Sequence, residues 1–168
     1  MMKFELDIKN GRIDIDNNIV SVLDETSFQC TKIFEYLNDK GRIKKSTPHH
    51  YIIDSVLWFD REFELIVRPV FNEKFPFTVQ LIDKNGVYYS CINDWNKVSD
   101  VAMLNDEVNS LYKWLAEKMN VNKPATNEDH EVTWVFDWGT ISALYEIKSF
   151  NCGVFISLTK KNEEFSQA

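Results

Sequence analysis

Residues 51–92 read YIIDSVLWFDREFELIVRPVFNEKFPFTVQLIDKNGVYYSCI, and the alternation inside this stretch decides the fold class. Phe63, Leu65 and Val67 fall on one side of a period of two, with Glu62, Glu64 and Arg68 on the other, the pattern of a strand with one buried and one wet face. The same period predicts strands over Tyr51 to Phe59, Phe63 to Val70, Phe77 to Asp83 and Val87 to Ile92. Polar breaks join them: Asp60-Arg61-Glu62, the stretch from Phe71 to Pro76, and the Asn-Gly turn Lys84-Asn85-Gly86. Breaks this short favour an antiparallel meander, and Pro69 marks the end of its strand or a sheet edge.

The flanks extend the sheet. Phe4, Leu6 and Ile8 alternate with Glu5, Asp7 and Lys9 before Asn10-Gly11, which predicts a hairpin into Arg12 to Asp16. After the apolar piece Ile19 to Leu23, Thr26 followed three residues later by Gln29 has the form of a capping box. It predicts one helix from about Ser27 to Asn38, ended at Gly41. A second helix, capped by Ser99 or Asp100, carries Val101, Leu104, Val108, Leu111, Leu115 and Met119 as a stripe to pack on the sheet. Asn120 to Asp129 reads as an exposed loop. His130 to Asp137, Gly139 to Ile147 and Cys152 to Leu158 then return to strands, and the chain turns polar from about Thr159. Hairpin-linked strands with two segregated helices predict a single α+β domain, its sheet largely antiparallel, spanning residues 1–168.

The chain has 168 residues, 23 of them aromatic, enough to bury a core without a metal or disulfides. Its longest apolar runs, such as Val56 to Phe59, are far short of the ~20 residues that cross a bilayer, and the start lacks a signal peptide's apolar stretch. A cytoplasmic protein with no membrane partner is expected. Cys30, Cys91 and Cys152 are widely spaced without a CxxC pair, which predicts reduced, mostly buried thiols.

Charge points to a class of partner. With 26 acidic and 19 basic side chains the net charge is -7, which disfavours binding of a nucleic-acid backbone and favours a basic protein. The excess is local: residues 1–39 hold eight acids and four bases, and residues 94–137 nine acids and four bases. The basic cluster Lys40, Arg42, Lys44 and Lys45 has no interleaved aromatic to stack a base and reads as a solvated loop.

Motifs for phosphate, dinucleotide, nucleophile-elbow or zinc-protease chemistry are absent, and no cofactor is implied. The remaining candidates for acid/base work are His130, among Glu128, Asp129 and Glu131, and the i, i+2 carboxylate pairs Asp14/Asp16 and Glu62/Glu64. Adjacent His49 and His50 diverge on a strand and do not share a metal.

The densest unusual segment is aromatic. Alternation places Trp134, Phe136 and Trp138 on one face, as a core wall or a binding platform. The run Phe136-Asp137-Trp138-Gly139-Thr140-Ile141-Ser142-Ala143-Leu144-Tyr145, followed by Val154 to Leu158, resembles the aromatic-Trp-Gly and Ser-x-x-Tyr ending of small acidic bacterial immunity proteins of polymorphic-toxin systems. It departs from that ending at Tyr145-Glu146 and at Lys148-Ser149-Phe150-Asn151. The resemblance implies a non-enzymatic inhibitor that binds and blocks a cognate toxin domain, such as a nuclease. Trp95, Glu131, Asp137 and Trp138 are the candidate contacts for that basic partner. Two other readings stay open: an acidic secretion chaperone, and a small hydrolase that uses His130 or the strand carboxylates.

Overall fold

The computed structural model describes residues 1–94, 100–121 and 123–159. In chain order the elements are β1 (Phe4–Leu6), β2 (Ile13–Ile15), β3 (Asn18–Ile19), α1 (Glu25–Gln29), α2 (Lys32–Asp39), β4 (Ile43–Thr47), β5 (His50–Trp58), β6 (Arg61–Arg68) and β7 (Phe77–Asp83). They are followed by α3 (Val87–Asn93), α4 (Val101–Met119), β8 (Thr126–Glu128), β9 (Glu131–Phe136), β10 (Gly139–Glu146) and β11 (Asn151–Leu158). The fold is α+β with antiparallel pairing throughout both sheets. One sheet has eight strands in the order β4-β5-β6-β7-β11-β10-β9-β8; the other is the small β1-β2-β3 unit.

The buried side of the large sheet follows from its alternation. Phe63, Leu65 and Val67 on β6, Phe77, Val79 and Leu81 on β7, and Val154, Ile156 and Leu158 on β11 are all essentially inaccessible. Helix α4 lies on β9, β10 and β11 and buries Leu104, Val108, Leu111 and Leu115 against them. Its start is fixed by Asp100, whose carboxylate accepts from Met103 N at 2.8 Å, and its end by Asn120 in a left-handed conformation. Trp58 joins the units: its ring meets Phe4 of the small sheet at 5.2 Å and Trp114 of α4 at 5.5 Å. Trp114 in turn donates from Nε1 to Asp60 Oδ1 at 2.7 Å. Such edge-on aromatic contacts add to the energy of burial.

Five expectations are corrected. Residues 87–92 form helix α3 instead of a fourth meander strand, because a carboxylate from α4 caps their backbone. The single helix over 27–38 is two, since Asp24 caps α1 through Ser27 N and Thr31 caps α2 through Phe34 N. Lys44 and Lys45 belong to edge strand β4. Part of the loop at 120–129 is edge strand β8. Val101, placed on the buried stripe, is 47% exposed at the first turn of α4. Pro69 does end its strand, at Arg68, but that strand lies inside the sheet. Trp95 and the polar tail beyond Thr159 fall outside the described residues. No helix among the described residues is long and apolar enough to cross a membrane.

Candidate functional site

Several polar groups converge around the N-terminal half of α4. Strand β7 ends at Asp83, whose side chain is buried; Oδ2 takes Arg61 at 3.0 Å and Oδ1 accepts from Asn85 N at 2.9 Å. The turn closes through Gly86 N donating to Asp83 O, and Gly86 then stands as the N-cap of α3 with no side chain to offer. Glu107, from α4, supplies what is missing: its Oε2 accepts from Tyr88 N at 2.9 Å. A helix N-terminus always has such unsatisfied donors, and a carboxylate there also complements its positive end.

Glu107 is 8% exposed. Burial pushes its carboxyl pKa up, against the pull of the Tyr88 hydrogen bond, and nearby Asp83 adds to the rise while Arg61 opposes it. Its second oxygen, Oε1, lies against Gly86 Cα, and no donor among the described residues reaches it. Arg61, Asp83, Gly86, Met103, Asp106 and Glu107 line an open cleft of about 600 Å³ here. The Arg61 guanidinium is already occupied. Besides Asp83 it reaches Ser110 Oγ at 3.4 Å, and it lies over the Trp114 ring at 5.0 Å.

A second groove, of about 360 Å³, runs along the other flank of the same helix turn, between α4 and the β8–β9 edge. Asn105, Asp106 and Asn109 line it from α4; Asn127, Glu128 and Asp129 face them from β8 and the turn that follows. Asn105 Oδ1 is buried there with no hydrogen-bond partner among the described residues. Asp106 belongs to both concavities. Together they present five carboxylates (Asp83, Asp106, Glu107, Glu128, Asp129), and among the described residues Arg61 is the one lysine or arginine that lines either. Among the described residues, no three His, Cys, Asp or Glu side chains are placed to hold a metal ion. The arrangement is a broad acidic surface with two recesses.

Another titratable cluster is internally satisfied. Glu25 of α1 takes Lys45 (2.8 Å) and Tyr51 on Oε1 and His49 (2.6 Å) on Oε2, and Tyr51 accepts from Gln29 at 2.6 Å. The bond from Lys45, then those from Tyr51 and His49, hold the Glu25 carboxyl pKa down to about 2. His49 also packs its ring on Phe71 at 3.9 Å. This network ties α1 to the β4–β5 turn.

The contacts expected from sequence are dispersed. Glu131 starts β9, half-buried, and accepts from Thr133 Oγ1 at 3.0 Å; Asp137 is exposed in the turn beyond the other end of that strand. Trp138 is 4% exposed, stacked on Phe136 at 4.8 Å, and its Nε1 donates to Ile8 O at 2.9 Å, so its ring belongs to the core. It lies in the β9–β10 turn, whereas Val132 and Trp134 are the buried pair on β9.

Of the acid/base candidates, His130 is about half exposed, 3.7 Å from Glu128, without the enclosure that proton transfer chemistry uses. Asp16 follows the end of β2 and accepts from Lys3 N, so it does not share a strand face with Asp14, which pairs with Arg12. Glu62 and Glu64 do share a face. Glu62 binds Ser55 and Lys84, which hold its carboxyl pKa down, while burial pushes that of Glu64 up. Cys30 is exposed at the end of α1, Cys91 is half-buried on α3, and Cys152 alone is buried.

Sequence reasoning located the acidic stretch over 94–137 but missed the recesses. The available signal was Glu107, a carboxylate that falls between Leu104, Val108 and Leu111 on the apolar stripe. Neither a family model, nor a curated protein, nor a solved structure matches the chain.

Proposed function

We propose that this protein is a non-enzymatic toxin-neutralising protein of the immunity type, which binds and blocks a basic toxin domain through the N-terminal half of α4. One observation supports the reading: a single helix turn sets two acidic recesses side by side, joined at Asp106, and the one cation that lines them among the described residues, Arg61, is engaged with Asp83. A surface of one sign accelerates encounter with a partner of the other and suppresses wrong partners. Affinity needs apolar anchors as well, and Val101 and Met103 are exposed on the first turn of the same helix, at 47% and 39%. A nuclease domain, whose active cleft must be cationic to hold phosphate, has the complementary chemistry.

The test is to mix the purified protein with the product of the adjacent gene, and to measure both complex formation and protection of cells that express that product. The expected result is a stoichiometric complex that silences the toxin. The double variant Asp106→Lys, Glu128→Lys should then bind at least about tenfold more weakly, equivalent to roughly 1.4 kcal/mol. No complex, or a complex indifferent to the reversed charges, overturns the reading.

A further inference from the structure

Strand β9 is longer than the partner on its outer side. Strand β8 pairs residues 126–128 with residues 131–133 and then leaves, so the far end of β9 is an open edge of the large sheet. Which groups face that edge follows from alternation. Thr133 O accepts from Ala125 N at 2.8 Å, on the β8 side, and successive residues of a strand present their N–H and C=O to opposite neighbours. Val135 therefore turns both its N–H and its C=O to the open side, where no strand among the described residues pairs with them. Edges of this kind are usually blunted by charge or proline. At the other end of the sheet β4 carries exposed Lys44 and Lys45, and β8 is polar, whereas Trp134, Val135 and Phe136 are apolar and Val135 is 65% exposed. A groove of about 400 Å³ runs along this stretch, lined by Ile8, Val121 and Phe136 and by Lys9 and Lys123. Neither lysine enters an ion pair among the described residues.

We propose that the open edge of β9 is a docking site for an extended, acidic segment of a partner protein, which adds beside residues 134–136 as the next strand. The groove meets α4 at its C-terminal end, about 20 Å along the helix from Asp106, so this surface is separate from the acidic recesses and does not rest on the immunity reading. Three features name the occupant. A donor and an acceptor offered by one residue on one side are matched by a peptide backbone, which supplies both; a phosphate or a lone carboxylate would leave the Val135 C=O unmatched. Two ammonium groups without ion pairs, in a chain of net charge -7, select carboxylates and repel the basic partners that the rest of the surface attracts. The apolar lining between them calls for an aliphatic side chain among the acids.

The probe that tests this is the peptide acetyl-Glu-Val-Glu-Val-amide, titrated into the full-length protein and followed by amide chemical shifts. Saturable shifts are expected at Lys9, Lys123, Ala125 and residues 134–136, with a Kd on the order of millimolar. The counterpart with lysine in place of both acids should bind at least about fivefold more weakly. So should the acidic peptide methylated at its backbone nitrogens, which keeps the charge but cannot pair with a strand. Lys9 and Lys123 are exposed, so the double variant Lys9→Ala, Lys123→Ala leaves the fold intact and should weaken binding severalfold. Val135→Pro removes only the outward N–H, a change that an edge strand tolerates, and should abolish the shifts at residues 134–136. Equal binding of the acidic and basic peptides, equal binding of the methylated peptide, or no saturable shift at Val135 overturns the proposal. A Val135 amide already protected from hydrogen exchange without peptide would give the edge to a second copy or to the chain itself, and overturns it as well. None of these results bears on the α4 surface, which complex formation tests separately.

Discussion

The Glu107 carboxylate occupies the space that a side chain at residue 86 would need: a Cβ built on Gly86 overlaps Glu107 Oε1. Gly86 has an ordinary extended backbone, φ -83° and ψ 161°, so room alone, and not conformational freedom, requires glycine here. Gly86→Ala is predicted to drive the Glu107 side chain out of its pocket and strip Tyr88 N of its acceptor, at a cost of about 1–3 kcal/mol. In a Glu107→Ala background the same substitution should cost at least about 1 kcal/mol less, because the obstacle and the bond are already gone. Urea denaturation of the four proteins measures this coupling; additive costs would show that the two residues are not fitted to one another.

Trp138 provides a different prediction, one that separates core from contact. Its ring lies on Gly11, where a Cβ would stand 2.5 Å from Cδ2, and Gly11 is held at φ +78° in the loop between β1 and β2. With Nε1 bonded to Ile8 O, the indole fastens that loop to the β9–β10 turn. Trp138→Ala should cost about 3–5 kcal/mol and Trp138→Phe, which keeps most of the ring but orphans the Ile8 carbonyl, about 1–3 kcal/mol. Partner affinity, corrected for the folded fraction, should stay unchanged in Trp138→Phe. A variant of normal stability with weakened binding would return this tryptophan to the interface.

The sheet was legible because alternation is a property of the strand itself. Phe63, Leu65 and Val67 must face one way whatever else the chain does, and the antiparallel α+β architecture follows from strands of that kind joined by short turns. Helix α3 was not legible, since Val87, Tyr88, Tyr89 and Ile92 are residues that favour strands, and the cap that makes them helical arrives from Glu107 on another element. Thr31 broke the first helix for a local reason that the capping-box pattern at Thr26 obscured. The candidate site divides the same way. Asp106, Glu128 and Asp129 lie in the stretch whose acidity the sequence displays, whereas Asp83 and Arg61 come from the sheet and join them only through tertiary packing.

The three cysteines should react in the order of their exposure. Cys30 sits exposed at the C-terminus of α1, Cys91 is half-buried, and Cys152 is buried in the sheet, where desolvation pushes its thiol pKa well above the usual thiol range. Because the thiolate is the reactive species, a disulfide reagent should label one thiol of the native protein rapidly. Cys30→Ser should abolish that fast phase, and Cys152 should react only on unfolding, at a rate set by the opening of the core. Fast labelling that survives in Cys30→Ser would contradict this order.

Acid should act on the protein partly through Glu25. Its carboxyl has an ordinary pKa of 4.5 in the unfolded chain and about 2 in the fold, lowered by Lys45, Tyr51 and His49. A depressed carboxyl pKa means that the unfolded chain binds the proton more readily. The stabilisation is therefore complete above pH 4.5 and is lost as pH falls from there through about 2. Because the cluster lies near the surface, with Lys45 half exposed, solvent screening leaves about 1 kcal/mol of the nominal effect. Glu25→Gln keeps the shape and an acceptor for Tyr51 but removes the charge that holds Lys45 and His49. Wild type should therefore exceed this variant in unfolding free energy at pH 7, and the difference should shrink steadily in urea titrations taken down to pH 2. A difference that stays constant across that range would mean that the network is held by its hydrogen-bond geometry alone, with no contribution from the ionised carboxylate.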